Sequence, residues 1–226
     1  MGMIINPYIS GAGVPSSVLL VHCDGSDTST TFTDSSASGH TLTASGNAQV
    51  DTAFKVFGTG SLLCDGTTDF VYASDHANWD FASDLTIDCR WRPTALIGAM
   101  WSHWQDANNY MQLVWGGIGG ITFIVVEGGS TTLNVTQGSS SGWSTDTWYH
   151  VALVRFGNEW DIYRDGTSVA SATDSITMPS FTGDVRLGAL SATTEELNGH
   201  LDEIRVVNGT AAWETNFTPP IAPYTS

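Results

Sequence analysis

Basic residues are scarce in this 226-residue chain: Lys and Arg total 7 against 23 Asp and Glu, for a formal net charge of −16. A nucleic-acid partner needs clustered Lys and Arg, so none is expected. Docking on an anionic membrane is disfavoured for the same reason. Long apolar runs are missing too, and nothing approaches the ~18 apolar residues that span a bilayer. The opening MGMIINPYISGAGVP lacks the basic n-region and long apolar core of a secretory signal. Asn6 stands where a myristoylation motif wants Ser or Thr. Cysteines are few and odd in number. Cys23, Cys64 and Cys89 cannot complete a disulfide framework, and no C-x-x-C pair offers a zinc site. Each lies in an apolar run (VLLVHC, SLLC, LTIDCRW) and reads as a small buried hydrophobe. No segment carries a sustained helical period with caps.

What remains is the texture of an all-β protein. Residues 1–16 are non-periodic and read as an N-terminal arm; residues 17–226 read as one domain. Short apolar or alternating runs predict fifteen strands: 18–23, 40–44, 47–50, 61–64, 69–73, 84–92, 97–103, 109–115, 120–126, 131–136, 147–156, 159–164, 167–173, 183–188 and 197–207. Asp165-Gly166 marks a tight hairpin between EWDIY and SVASA. Fifteen strands without a helix or a fixed-period repeat point to a sandwich or jelly roll. The acidic balance favours solubility and suits a cation site.

Alternation assigns faces. In LTIDCRWRP, Leu85, Ile87, Cys89 and Trp91 fall on one side and Asp84, Asp88, Arg90 and Arg92 on the other. The first set is expected in the core, the second on an open outer face. There Arg90 and Arg92 read either as charge partners of Asp88 or as part of a ligand groove. The densest aromatic and polar cluster is MWSHWQDANNY. Trp101, His103 and Trp104 would supply stacking faces there, with Asn108 and Asn109 as polar partners and Tyr110 a further ligand-binding candidate at the end of the cluster. The alternative is that the aromatics pack inside and the asparagines turn the chain. Trp148, Trp160 and Trp213 read as packing residues, and His150 as a core or rim histidine.

The order of blocks resembles a known family. VLLVHCDG, FGTGSLLCDGTTDFVYAS, DLTIDCRWRP, TWYHVALVRFGNEWDIYRDG and LNGHLDEIRVVNGT together resemble laminin G-like, concanavalin A-like jelly-roll domains over roughly residues 17–224. That implies an all-β jelly-roll sandwich of two antiparallel sheets, with first and last strands side by side. It also implies a structural Ca²⁺ held by Asp24, Asp202 and a backbone carbonyl near Gly60. Asp202 shares the parity of Ile204 and Val206, which predicts that it points inward. The alternative is that Asp202 accepts backbone hydrogen bonds and Asp24 caps a turn.

Related glucanases carry two glutamates and an aspartate on one strand. This chain has no such motif, and Glu195 and Glu196 are adjacent, so no enzyme activity is expected. The ending NFTPPIAPY is similar to domains of tailed-phage virion proteins. The resemblance implies a non-catalytic fibre, tail or capsid-decoration module on a virion surface. Its partners would be other virion proteins and copies of itself, with a host-surface glycan as a further ligand. The alternatives are an extracellular carbohydrate-binding lectin and, behind it, a glycoside hydrolase.

Overall fold

The computed structural model describes residues 16–191 and 193–225. The N-terminal arm, apart from Ser16, lies outside the described residues. Fifteen strands form two antiparallel sheets. Sheet A runs in space as β13 (Thr167–Thr173), β12 (Glu159–Arg164), β11 (Tyr149–Phe156), β6 (Leu85–Pro93), β15 (Asn198–Asn208), β4 (Ser61–Asp65) and β3 (Gln49–Asp51). The short β1 (Leu19–Val21) joins β15 on the same edge as β4. Sheet B runs β10 (Ser130–Thr136), β9 (Ile121–Glu127), β8 (Asn109–Trp115), β7 (Gly98–Asp106), β14 (Asp184–Leu187), β5 (Phe70–Ala73) and β2 (Thr43–Ser45). Among the described residues, helix is confined to two single 3-10 turns, at Ala77–Trp79 and Gly117–Gly119.

The two sheets pack face to face because each strand buries alternate residues. Leu85, Ile87, Cys89 and Trp91 of β6 all enter the core, as their parity predicts. Opposite them come Met111, Leu113 and Trp115 of β8 and Phe123 of β9. Trp91, Trp115 and Trp143 meet at ring separations of 5.5–5.9 Å. Phe123 of sheet B stacks on Trp160 of sheet A at 5.8 Å. All three cysteines are buried free thiols, and burial raises the pKa of each, which leaves them chemically quiet.

Two expectations are corrected. The outer face of sheet A is not open. Residues 209–225 cross it as a strap, with Trp213 and Phe217 stacked at 3.8 Å and packed on Ala152, Val154 and Tyr163. Asp88, expected on an exposed face, is fully buried beneath this strap. Second, Asp202 does not share the inward side of Ile204. It lies opposite Arg90, while Arg205 lies opposite Asp88, so β15 gains one residue between them. Glu203, at φ +50°, is the bulged residue. The bulge moves Asp202 to the outer side with His200 and Arg90, a change that parity counting cannot see.

Candidate functional site

The outer face of sheet B presents the strongest candidate. The β7–β8 hairpin is closed by Asp106, which accepts from Asn108 N at 2.8 Å and from Asn109 Nδ2 at 3.0 Å. Asn109 Oδ1 accepts in turn from Gly128 N at 3.0 Å, tying this turn to its neighbour. The hairpin register sets Trp104 opposite Tyr110, with ring centroids 5.7 Å apart and planes 34° from parallel. Both rings are half-buried. Asp184 lies beside Trp104 on β14, and Val126 beside Tyr110 on β9.

The next row across the sheet is Tyr72, Arg186, Ser102, Gln112 and Ile124. Ser102 donates to Ala189 O at 2.7 Å, which draws the loop after β14 over this face. Arg186 donates to Leu190 O at 3.4 Å, pairs with Asp184 at 3.6 Å and lies 5.0 Å over the Phe70 ring. Gln112 is only 6% exposed, and its Oε1 has no partner. Burial raises the Tyr110 hydroxyl pKa, and the Glu195 charge adds to the rise. An aromatic pair flanked by hydrogen-bonding groups is the composition of a site that stacks and orients a polar ring.

The sequence grouped seven ligand candidates, and the fold separates them. Trp104 and Tyr110 form the aromatic pair, with Asn108 at the adjoining turn. Trp101 and His103 are corrected: they are 1% and 0% exposed and face the core. Their parity opposes that of Trp104, and His103 Nε2 lies 3.1 Å from Gly183 O. Arg90 and Arg92 are also corrected, because they belong to the other sheet. Arg90 donates to Pro220 O of the strap and lies 5.6 Å over Phe57. Arg92 pairs with Asp146 at 2.9 Å and lies 3.9 Å over Phe54. Reasoning from sequence missed Asp184, Arg186, Gln112 and Tyr72. Gln112 shares the hairpin strand and the parity of Tyr110; the other three reach Trp104 only through the strand order that sets β14 between β7 and β5.

The three metal candidates do meet at one place, the loop 52–60. Asp202 Oδ2 accepts from Val56 N at 2.7 Å and Phe57 N at 3.1 Å. Asp24 Oδ1 accepts from Thr59 N, and from Thr59 Oγ1 at 3.0 Å. Gly60 packs so tightly that a Cβ there would lie 3.3 Å from Cys23 O and 2.5 Å from Val50. Asp202 Oδ1 is buried with no partner, and burial lifts the carboxyl pKa to about 7. Cys23 and Glu203, next in sequence to the two aspartates, both adopt positive φ. Among the described residues no group of three or more His, Cys, Asp or Glu could hold a metal. Any further ligands there would therefore be carbonyls and water, which hard cations accept.

With this geometry in view, the sequence profile described as the concanavalin A-like lectin/glucanases superfamily matches residues 65–214. The chain belongs to that family. No curated protein matches it significantly by sequence. The family's fold recurs in solved structures at low identity. Domain 4 of AbnA, a GH43 extracellular arabinanase from Geobacillus stearothermophilus in complex with arabinotriose, superposes with a TM-score of 0.67 at 17% identity, over 88% of this chain and 95% of that one. The binding domain of Paraclostridial Mosquitocidal Protein 1 gives 0.66 at 13% identity, over 88% and 50%. The binding domain of botulinum neurotoxin DC in complex with SialylT gives 0.58 at 12% identity, over 85% and 47%. The chain thus spans about half the length of those two toxin domains. At these identities the likeness concerns the fold.

Proposed function

We propose that this chain is a non-catalytic binding module whose ligand is a glycan, taken on the outer face of sheet B at Trp104 and Tyr110. The observation that carries the reading is the half-exposed aromatic pair, 5.7 Å apart, beside polar groups still short of partners. The family adds support, as do two relatives of the same fold solved with arabinotriose and with SialylT. The non-catalytic part rests on the carboxylates. A retaining glycosidase holds an acid and a nucleophile ~5 Å apart. Here Asp184 pairs with Arg186, Asp106 closes a turn, and Glu196 accepts from Thr68 N at 2.6 Å. The test is binding to a glycan array by wild type, Trp104→Ala and Tyr110→Ala. We expect both variants to lose about fivefold or more, since stacking on an aromatic contributes ~1 kcal/mol or more. Array binding untouched by either substitution overturns the site.

The same module is read as a virion component, a fibre, tail or capsid-decoration protein assembled with its own copies and other virion proteins. The support is the sequence resemblance of NFTPPIAPY. Deleting residues 1–16 should then abolish particle attachment and spare glycan binding. Attachment that survives the deletion removes the arm from this reading.

A structural Ca²⁺ at Asp24, Asp202 and the Gly60 carbonyl completes the proposal. The orphaned Asp202 Oδ1 fits it, because a buried carboxylate oxygen without a donor calls for a cation. Bound there, the ion would supply positive charge and clamp loop 52–60 to the first and last strands. Asp202 and Asp24 already hold that loop through Val56, Phe57 and Thr59.

A further inference from the structure

The outer face of sheet B carries a charge pattern that bears on which glycans it takes. Of the seven basic residues in the chain, five arginines sit on strands of sheet A and Lys55 sits in loop 52–60. Arg186 is the one basic residue on a strand of sheet B, and it is engaged by Asp184 and by Leu190 O. Acidic groups, by contrast, gather round the aromatic pair. Asp184 is the cross-strand neighbour of Trp104. Asp106 lies two residues beyond Trp104, at the hairpin turn. Glu127 follows Val126, the cross-strand neighbour of Tyr110, and is exposed. Glu195 is exposed on the loop after β14, with its carbonyl accepting from Ala99 N at 2.8 Å.

The hydrogen-bonding groups of the face are mixed, so the bias lies in its charge. Gln112 Oε1, one row from Tyr110, is an acceptor without a donor. The carboxylates are acceptors only. Donors are present too: the Nε of Arg186 is buried without a partner, and the Trp104 indole, the Tyr110 hydroxyl and the Gln112 amide nitrogen can each donate to a sugar hydroxyl. A ligand suited to this face brings hydroxyl donors and an apolar ring face. A ligand that brings a carboxylate or sulfate brings negative charge to the negative charge of Asp184, Asp106, Glu127 and Glu195.

We propose that this face selects neutral, hydroxyl-rich glycans and excludes acidic ones, with Asp184 and Glu195 as the residues that enforce the exclusion. Repulsion at the rim of a binding site is a specificity device: it weakens the wrong ligand without improving the right one. Its strength falls with salt, because these groups are partly exposed and the Debye length shrinks to ~3 Å at 1 M.

The inference rests on the glycan-binding reading, and the experiment separates the two. Array-bound neutral oligosaccharides are compared with the same cores capped by a sialic or uronic acid, at 0.05 M and ~1 M salt. Wild type is expected to bind neutral cores about tenfold or more tighter than their capped forms at low salt, and to discriminate less at high salt. The double variant D184N/E195Q should lose most of that discrimination at low salt, its melting temperature serving as a check on folding. Acidic glycans bound as well as neutral ones by wild type overturn the selectivity while leaving the binding reading intact. Discrimination that ignores both salt and the double variant overturns the roles of Asp184 and Glu195. Absence of all glycan binding overturns the parent reading, and this inference with it.

Discussion

Tyr224 donates its phenolic hydrogen to Asp88, joining the strap to a carboxylate at the centre of sheet A. Arg205 Nε donates to the other oxygen of Asp88 at 2.8 Å, and His150 Nε2 lies 3.2 Å from both Asp88 Oδ2 and the Tyr224 hydroxyl. Burial is the largest single influence and would raise the Asp88 carboxyl, but the Arg205 guanidinium, His150 and the Tyr224 hydroxyl together outweigh it and hold the pKa low. A buried charge kept this way punishes the loss of any one partner. Tyr224→Phe keeps the ring 3.9 Å from the Arg205 guanidinium and removes only the hydroxyl. The expected cost is about 1–3 kcal/mol, read from urea unfolding. A loss below ~0.5 kcal/mol would mean that the strap is held by its other contacts, the packing of Trp213 and Phe217 and the bonds of Arg90 to Pro220 O and of Ala212 N to Thr86 among them.

His150 sets a pH dependence of known sign. Burial lowers its pKa below 6.5, opposed by Asp88 and reinforced by Arg90 and Arg205. The unfolded chain protonates this histidine near pH ~6.5, and the folded chain does so only at lower pH. Between pH ~7 and ~5 the unfolded state therefore binds the extra proton, and the contribution of His150 to stability falls as pH falls. In His150→Gln that component disappears. The stability difference between wild type and variant should shrink on acidification, by up to ~1.4 kcal/mol per pH unit below 6.5. A difference constant between pH 7 and 5 would show that His150 titrates alike in both states.

The proposed Ca²⁺ would bind at Asp202, on β15. Without a cation, Asp202 keeps a buried oxygen with no donor and a carboxyl raised to about 7. Adding Ca²⁺ to EDTA-treated protein at pH 7.5 should raise its melting temperature. The gain approaches ~2.7 kcal/mol at a hundredfold excess over Kd. Asp202→Asn, which can still accept from Val56 and Phe57, should melt without regard to Ca²⁺. An unchanged wild-type melting curve removes the ion and leaves Asp24 and Asp202 as loop anchors.

How much of this was legible in the sequence differs between fold and site. Every predicted strand corresponds to an observed one, because alternation and Asp-Gly or Asn-Gly punctuation are local signals. That Trp104 and Tyr110 share one hairpin followed from the same local signals, whereas the expectation that Asp24 and Asp202 lie near one another came from the family resemblance; both are bonded to the loop 52–60. Arg90 and Arg92 were misplaced because nothing local in LTIDCRWRP says that residues 209–225 return to cover it. Trp101 and His103 were grouped with Trp104 although alternation along β7 sends them to the opposite face. The side of Asp202 was lost to a single bulged residue. Asp184 and Arg186 gave no local sign, since their role depends on β14 becoming the neighbour of β7; Gln112 was within reach of alternation from Tyr110 and was missed.

Gly183 offers the sharpest test of how the site is built. It precedes β14 and lies so close to β7 that a Cβ there would fall 1.7 Å from Trp104 O and 2.4 Å from Trp104 C. These are backbone atoms, which cannot rotate away as a flexible side chain would. Gly183→Ala must therefore push β14 from β7 at the position where Asp184 and Trp104 are paired. Overpacking of this kind costs about 1–3 kcal/mol, and here it also displaces the aromatic pair. Glycan affinity should fall along with stability, even at temperatures where the variant remains folded. Gly119→Ala is the control: its nearest contact would be Thr136 Oγ1 at 3.7 Å, an ordinary distance, so both properties should stay close to wild type. If Gly183→Ala binds glycan as wild type does, the Trp104 backbone is not what positions the site, and the ligand must be held elsewhere on the molecule.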